Sequence, residues 1–270
     1  MSLDTTAAAS VRPLPPIGPS DAAHAVVLVV GNGMVSHRFC EKLIEYDTAK
    51  RYRVVVVGEE PRPAYDRVHL TTYFAERSAD ALLLGTHAWY GDRGIELRVG
   101  TRVAHVDRAR RVARTDDGAE IAYDVLVLAT GSAPFVTPVP GIDQRGLFVY
   151  RTIEDLEAIV AHSTQARRAA VIGGGLLGLE AARAVLDAGL ETHVVEVAPR
   201  LMPRQLDGVA SALLERQIVE LGVEVHVDRR ITRILGDDAG AVSGIEFSDG
   251  EVLDADLIIV SAGIRPRDEL

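Results

Sequence analysis

Cysteine is nearly absent from this sequence, since Cys40 is the only one among 270 residues. A single thiol excludes an internal disulfide, a Cys-x-x-Cys redox pair, a zinc ribbon and an iron–sulfur cluster held by several thiolates. Long apolar runs are also missing: the longest, such as residues 26–30 and 125–129, have the length of a strand. A membrane-spanning helix needs roughly 20 apolar residues, so we expect a soluble protein.

Positive charge is scarce as well. The 29 Lys and Arg residues against 39 Asp and Glu give a formal net charge of −10. This balance disfavours a general electrostatic affinity for nucleic acid or for an anionic membrane surface. An anionic ligand must therefore be held by local features of the fold.

The first 24 residues are rich in Ala, Ser and Pro and show no hydrophobic periodicity. We predict a disordered tail over residues 1–24. The prolines interrupt the only apolar stretch, so a secretory signal is not expected and the predicted location is the cytoplasm. The length of the chain predicts two domains.

A βαβ unit follows the tail. Ala25–Val30 is continuously apolar, which is typical of a strand buried on both faces of a parallel sheet. The glycine-rich segment 31–36 comes next, and a helix is predicted to about Tyr46. A second apolar strand, residues 53–57, ends just before Glu59 and Glu60.

The same order returns later in the chain. An apolar strand at residues 169–172 leads into the glycine turn 173–178, a helix is predicted over residues 179–187, and the strand Glu191–Val195 ends at Glu196. Residues 117–131 also align without a gap on residues 249–263, each copy with an Asp-Gly turn and a buried strand ending at glycine. The sequence therefore predicts an α/β protein with two Rossmann-like dinucleotide-binding domains, each with a small antiparallel β insertion.

The glycine turns have a direct physical use. Glycine lets the backbone turn tightly and lets a pyrophosphate approach without an intervening Cβ, and the helix that follows offers unpaired N–H groups. The carboxylates of Glu59 and Glu196 are placed to accept hydrogen bonds from ribose hydroxyls. Because the interval from the glycine turn to Glu59 is longer than that to Glu196, we expect the first helix to extend to Lys50.

The two turns differ in completeness. Gly173, Gly175 and Gly178 form a full G-x-G-x-x-G, whereas the first turn has Ser36 at the third position. A glycine turn that binds nothing stays an alternative for each copy. A carboxylate at Glu196 repels a 2′-phosphate and favours NADH over NADPH, while Arg200 could contact such a phosphate or stack on the adenine.

These motifs resemble the two-dinucleotide-domain flavoproteins of the pyridine nucleotide-disulfide oxidoreductase superfamily. Within it, they resemble the flavin portion of assimilatory NAD(P)H-dependent nitrite reductase large subunits. The segments Tyr-Asp-Arg-Val-His-Leu, residues 65–70, and Arg-Leu-Met-Pro-Arg-Gln-Leu-Asp, residues 200–207, point to that branch. The other matching segments are residues 29–34, 58–64, 148–156, 173–182 and 263–268.

The motifs and the resemblance together imply a set of cofactor-binding residues. Those assigned to FAD are Gly31, Asn32, Gly33, Met34, Val35, Ser36, Glu59, Glu60, Arg67, Val103, Ala129, Thr130, Gly131 and Arg151. Those assigned to NADH are Gly173, Gly174, Gly175, Leu176, Leu177, Gly178, Glu180, Glu196, Arg200 and Gly263. The resemblance places Arg67 and Arg151 near the flavin and Glu180 near the nicotinamide.

The resemblance also implies domain limits. Residues 25–148 would form the FAD-binding domain and residues 149–265 the NAD(P)H-binding domain. Residues 266–270 would begin a return to the FAD domain that is truncated here. The family's returning segment, cysteine-rich cluster and sirohaem module are not in this sequence, so we expect a fragment or a truncated homologue that carries the electron-entry half.

The predicted function is an FAD-dependent NAD(P)H oxidoreductase that passes hydride from NADH to FAD and electrons onward. The cofactors supply the reactive atoms, so no catalytic residue is assigned. The expected partner is an iron–sulfur or sirohaem module or a small redox carrier, and a homodimer stays open. Two alternatives are a stand-alone NADH:rubredoxin or ferredoxin reductase, which Thr72 disfavours because that branch carries a lysine there, and a truncated module without flavin.

Cys40 and the histidines are the remaining candidates for a reactive or metal-binding group. Cys40 is expected to be a small buried helix residue rather than a redox thiol. His69 could meet the flavin or be an ordinary packed or exposed histidine. No two histidines have the helical His-x-x-x-His spacing of a metal site, so no metal site is predicted.

Overall fold

The computed structural model describes residues 24–270, so the predicted tail lies outside the described residues except for its last position. No helix in this described range is both long enough and apolar enough to cross a membrane. The chain divides into two compact units. Unit 1 contains the described residues up to Tyr65 together with Leu83–Gly131 and Arg267–Leu270, and unit 2 contains Asp66–Leu82 and Ser132–Pro266.

The elements follow in chain order. The helices are α1 (Met34–Tyr46), α2 (Thr72–Glu76), α3 (His87–Gly91), α4 (Ile153–Ser163), α5 (Leu176–Asp187) and α6 (Gly208–Glu220), with a short 3-10 turn at Asp80–Leu82. The first nine strands are β1 (Ala25–Val30), β2 (Tyr52–Val57), β3 (Glu96–Arg98), β4 (Val103–Asp107), β5 (Val112–Thr115), β6 (Glu120–Ala122), β7 (Val125–Leu128), β8 (Ser132–Pro134) and β9 (Leu147–Val149). The others are β10 (Arg168–Ile172), β11 (Glu191–Val195), β12 (Val223–His226), β13 (Ile231–Gly236), β14 (Val242–Phe247), β15 (Val252–Asp254), β16 (Leu257–Val260) and β17 (Ile264–Pro266).

Unit 1 is built on a parallel sheet with the strand order β3-β2-β1-β7. The apolar run of β1 is buried between its neighbours β2 and β7, as a continuous apolar run predicts. An antiparallel sheet, β4-β5-β6, is the predicted insertion, and its second turn contains Asp117-Gly. One core of unit 1 forms where the parallel sheet packs against this insertion.

Unit 2 repeats the plan. Its parallel sheet has the order β12-β11-β10-β16-β9, so β10 lies between β11 and β16 just as β1 lies between β2 and β7. The antiparallel sheet β13-β14-β15 is the insertion, with Asp249-Gly in its second turn. A further ladder joins β8 to β17. Two copies of one topology confirm the prediction of two Rossmann-like folds.

Helix α1 ends at Tyr46, as the sequence pattern predicts, and does not extend to Lys50, as the longer interval to Glu59 suggested. The carboxylate of Asp47 accepts hydrogen bonds from the backbone N–H groups of Arg51 and Tyr52, each at 3.0 Å. Lys50 has a left-handed backbone, with φ of 49°. The longer interval in the first copy is therefore a turn closed by Asp47. Helix α5, in contrast, begins three residues earlier than the predicted Leu179, at Leu176.

The compact units and the predicted domains divide the chain differently. The segments Asp66–Leu82 and 132–148 were predicted in the FAD-binding domain, but they group with unit 2. Arg267–Leu270 groups with unit 1. The assignment of each unit to one cofactor stays a prediction.

Candidate functional site

The glycine turn of unit 1 combines a tightly packed position with an open one. Gly31 has a φ of +104°, and a Cβ built there would lie 2.1 Å from the carbonyl oxygen of Ala129. A Cβ at Gly33 would meet no heavy atom of the described residues within 4 Å. Ser36 is fully buried at the third position, so its small side chain fits the close packing of helix on strand. Gly31 thus serves packing, and Gly33 leaves a surface that a ligand can approach.

The glycine turn of unit 2 has the same division of roles. A Cβ at Gly173 would lie 2.4 Å from the carbonyl oxygen of Ser261, and one at Gly178 would lie 1.8 Å from the carbonyl oxygen of Gly173. Gly175, like Gly33, has no heavy atom of the described residues within 4 Å of a built Cβ. Each turn therefore presents bare backbone at its second glycine, which is the cradle that a pyrophosphate requires.

The helices that follow these turns lack side-chain caps. Gly33 precedes α1 and Gly175 precedes α5, and neither helix start has a hydrogen bond from a capping side chain. Helices α4 and α6 differ, because Thr152 and Asp207 cap them. The unpaired N–H groups and the positive end of the helix dipole favour an anion at the starts of α1 and α5.

Several predicted residues form the rims of these turns. Met34 and Val35 lie in the first turn of α1, and Leu176 and Leu177 lie in the first turn of α5. Val35 is 73% exposed and Leu176 is 58% exposed. Apolar side chains at such exposure next to bare backbone suit contact with a ligand.

Asn32 braces the first turn. Its amide donates a hydrogen bond to the carbonyl oxygen of Arg62 at 3.1 Å and accepts one from the Tyr90 hydroxyl at 3.3 Å. Glu60 accepts a hydrogen bond from the Tyr65 hydroxyl at 2.6 Å. These contacts orient Asn32 and Glu60 within unit 1.

The carboxylate of Glu196 lies at the end of β11 against the second glycine turn. Its Oε2 accepts a hydrogen bond from the Gly174 amide at 2.7 Å, and its Oε1 accepts one from the Ala198 amide at 2.8 Å. Each carboxylate oxygen has a second lone pair with which to accept a hydroxyl proton. Arg200 donates to the carbonyl oxygen of Pro203 at 3.3 Å. The turn therefore has a fixed acceptor in Glu196.

Glu59, the predicted ribose acceptor of unit 1, forms an ion pair with Arg267. The Thr130 hydroxyl donates to the carbonyl oxygen of Arg267 at 2.6 Å, and the Arg267 amide donates to the carbonyl oxygen of Gly131 at 3.1 Å. Arg267 thus connects three predicted residues, although it was not itself among the predicted site residues. Its position in the segment 263–268, which carries the family resemblance, was the available signal.

Three other predicted residues have roles in the backbone framework. Val103 begins β4 and is buried in the core of unit 1. The Ala129 amide donates to the carbonyl oxygen of Val30 at 2.7 Å, which holds the segment after β7 beside the first glycine turn. Gly263 has a φ of +121°, and its carbonyl oxygen accepts a hydrogen bond from the Phe135 amide at 2.8 Å.

Unit 2 brings Arg67 and Arg151 together. The Arg67 guanidinium donates to the carbonyl oxygen of Arg151 at 3.0 Å, and the Arg151 guanidinium donates to the Ser132 hydroxyl at 2.6 Å. Both arginines are half-buried. The structure therefore groups the two cations that the resemblance places near the flavin.

Glu180 belongs to a hydrogen-bonded group with two residues that the sequence analysis missed. The Thr71 hydroxyl donates to Oε2 of Glu180 at 3.1 Å and lies 3.1 Å from the Tyr150 hydroxyl. Burial raises the pKa of Tyr150 to about 12, so its hydroxyl stays protonated even in moderately alkaline solution. Thr71, which is hydrogen-bonded to Tyr150, orients the carboxylate that the resemblance places near the nicotinamide.

The structure places Cys40 in a core of unit 1 and His69 at the surface. Cys40 is buried in α1, and burial raises the pKa of its thiol to about 12. A thiol held in this protonated form is a poor nucleophile. His69 is exposed, and its Nδ1 lies 2.7 Å from Oδ2 of Asp66.

Known proteins are similar to this chain in sequence, and a solved structure is similar to it in fold. The nitrite reductase NAD(P)H large subunit of Klebsiella oxytoca is 52% identical over 245 residues, which are 91% of this chain and 25% of that protein. The nitrite reductase (NADH) large subunit of Escherichia coli is 45% identical over 242 residues, which are 90% of this chain and 29% of that protein. The chain therefore spans between a quarter and a third of the length of these relatives.

A solved structure matches the same region. The ferredoxin reductase of Rhodopseudomonas palustris is 28% identical with a TM-score of 0.83, and the match covers 91% of this chain and 60% of that one. The family model described as pyridine nucleotide-disulphide oxidoreductase matches residues 25–270. The chain therefore belongs to the pyridine nucleotide-disulphide oxidoreductase family.

Proposed function

We propose that the chain is an FAD-dependent NAD(P)H oxidoreductase module in which unit 1 binds FAD and unit 2 binds NADH. The observation that carries this proposal is the duplicated pyrophosphate cradle. Each cradle consists of a second glycine with bare backbone and of a helix whose N-terminal amides have no capping side chain. Membership in the family supports FAD and NAD(P)H as the cofactors.

The chain's own residues bind and orient the two dinucleotides. The first-turn amides of α1 and α5 would donate to the pyrophosphates, and Glu59 and Glu196 would accept ribose hydroxyls. Bound FAD supplies the isoalloxazine ring that accepts hydride from the nicotinamide. The protein needs no acid or base for this transfer, so it contributes position, charge and exclusion of water.

The side chains of unit 2 complete the proposed assignment. Arg67 and Arg151 would supply positive charge, since their backbone and hydroxyl contacts hold both guanidinium groups in place within unit 2. Glu180 would position the nicotinamide, and the Thr71 hydroxyl orients its carboxylate.

The relatives suggest what receives the electrons. Two of them are nitrite reductase large subunits, and a third, from Bacillus subtilis, is an assimilatory nitrate reductase electron transfer subunit. We propose that this chain is the electron-entry part of such a system in the cytoplasm. Its electrons would then pass to an iron–sulfur or sirohaem module or to a small redox carrier.

The test uses the purified chain with added FAD under anaerobic conditions. We expect a yellow protein whose flavin absorbance is bleached by NADH. A chain that takes up no FAD would overturn the proposal and support a module without flavin. Rapid reduction of an added rubredoxin or ferredoxin would instead favour a stand-alone carrier reductase.

Two substitutions assign the cradles. Gly33→Ala should weaken FAD binding about tenfold and leave NADH binding intact. Gly175→Ala should weaken NADH binding about tenfold and leave FAD binding intact. In each variant the new Cβ occupies the space of one pyrophosphate. Gly91→Ala and Gly208→Ala are matched controls, since a Cβ at either position also meets no heavy atom of the described residues within 4 Å. Equal binding by all four variants would contradict the cradle assignment.

A further inference from the structure

A cluster of possible ligands lies on one face of the parallel sheet in unit 2. In the β11–β12 ladder, His193 pairs with Glu224 and Val195 pairs with His226. Side chains two residues apart on a strand point to the same face. His193, Glu224 and His226 therefore face the same side of the sheet, together with Glu191.

The distances in this cluster match a tetrahedral metal site. Nδ1 of His193 lies 3.2 Å from Nε2 of His226 and 3.5 Å from Oε2 of Glu224. One ligand atom from each of the three residues lies within 4.8 Å of the others. Bonds of about 2.0–2.1 Å at tetrahedral angles place two ligand atoms roughly 3.3 Å apart.

The surroundings of His193 also suit a ligand. Its side chain is buried, with 4% of the residue exposed, so the ring has little freedom to reorient. Oε1 of Glu191 lies 3.4 Å from Nε2, the ring nitrogen on the far side from the cluster. Metal-bound histidines usually donate their other N–H to a carboxylate, which directs the lone pair to the metal.

An ion can reach the cluster from solvent. Glu224 is exposed and His226 is half-buried, so the site is open on the side of the edge strand β12. The positive charge of Arg229, which lies near the cluster, is balanced by ion pairs with Asp249 and Glu251. The local charge therefore permits a divalent ion.

We infer that His193, Glu224 and His226 form a binding site for a divalent transition metal of the zinc class, with water as the fourth ligand. Two imidazoles and one carboxylate select zinc or cobalt over magnesium, which prefers an octahedral oxygen shell. The bound ion would link the edge strand β12 to β11. Sequence spacing missed the site because its ligands are divided between two strands rather than repeated along one helix.

The test uses the whole chain in metal-free buffer, with Co²⁺ as the spectroscopic probe and Zn²⁺ as the competitor. We expect one Co²⁺ per chain with the visible absorption bands of tetrahedral coordination, lost when Zn²⁺ is added. Zn²⁺ should raise the midpoint of thermal unfolding, because it binds the folded chain. Mg²⁺ at the same concentration should do neither.

Substitutions locate the site. Glu224→Gln and His226→Gln should each lower the Zn²⁺ affinity at least tenfold, and Glu191→Gln should lower it about tenfold through the orientation of His193. His105→Gln is the matched control, because His105 is an exposed strand histidine in unit 1. Absence of the cobalt bands, or affinity that Glu224→Gln and His226→Gln leave at the control's value, would overturn the inference. In that case the two imidazoles share only a hydrogen bond.

Discussion

Replacing Gly178 by alanine, in comparison with Gly175→Ala, separates the packing role of the second glycine turn from its proposed binding role. The new Cβ would lie 1.8 Å from the carbonyl oxygen of Gly173, more than 1 Å inside the closest approach that real Cβ atoms show. The obstructing atom is backbone, so no side chain can rotate away. Helix α5 must move from β10, and the N-terminal amides of the helix move with it.

The expected cost follows from two opposing effects. Overpacking costs about 1–3 kcal/mol, and a backbone clash this close belongs at the upper end. Alanine recovers up to about 1 kcal/mol through its higher helix propensity. The net loss is about 2 kcal/mol, which corresponds to a decrease of about 4–8 °C in the unfolding midpoint for a unit of this size.

Gly175→Ala is the comparison within the same turn. Its Cβ meets no heavy atom of the described residues within 4 Å. Loss of a glycine at the N-cap costs about 0.5–1 kcal/mol, and the reduced freedom of the unfolded chain offsets about the same amount. We therefore expect an unchanged midpoint with weakened NADH binding.

Thermal unfolding followed by circular dichroism and NADH titration followed by fluorescence give both quantities. Gly178→Ala should lose stability and NADH affinity together, whereas Gly175→Ala should lose affinity alone. If Gly178→Ala unfolds at the same temperature as the unsubstituted chain, the reasoning from the Gly173 carbonyl is refuted.

Three further predictions concern individual side chains. Glu196→Gln removes the charge but keeps one acceptor for the Gly174 amide, so the ratio of NADPH to NADH affinity should rise about tenfold in paired titrations; an unchanged ratio would show that Glu196 does not select the nucleotide. Arg267→Ala removes the ion-pair partner of Glu59. Exposed ion pairs contribute about 0–1 kcal/mol, so the free energy of unfolding should hardly change. A fluorescence titration should show a changed FAD affinity. The thiol of Cys40 should resist alkylation at pH 8, where its raised pKa keeps it protonated, and should react once denaturant exposes it; rapid labelling of the folded chain would contradict its burial.

The sequence predicted the fold well where the signal was local or repeated. Ala25–Val30 and Glu191–Val195 are strands with the predicted bounds. Ala25–Val30 is a continuous apolar run, which is typical of a strand buried on both faces of a parallel sheet. Both Asp-Gly turns occur where the repeat placed them. The prediction for Lys50 was wrong, because the Asp47 side chain bonds two backbone amides and closes a turn there.

Contacts between distant segments could not be predicted in this way. Thr71 contacts Glu180, which is 109 residues away in the sequence. Arg267 contacts Glu59, which is 208 residues away in the sequence. Neither contact depends on a periodic pattern, so the sequence does not show which residue pairs with which. These hydrogen-bonded and ion-paired contacts form only because distant segments of the chain fold into the same unit.

The sequence by itself determined the class of this protein, because glycine spacing, apolar runs and their repetition are encoded over short stretches and need no partner segment. Only the tertiary structure decided which glycines leave their backbone open to a ligand, which carboxylates already accept hydrogen bonds from backbone amides, and which possible metal ligands lie close together. The His193, Glu224 and His226 cluster shows the reason. A parallel register brings residues of separate strands within 3.5 Å, and that register is set by packing of the whole sheet.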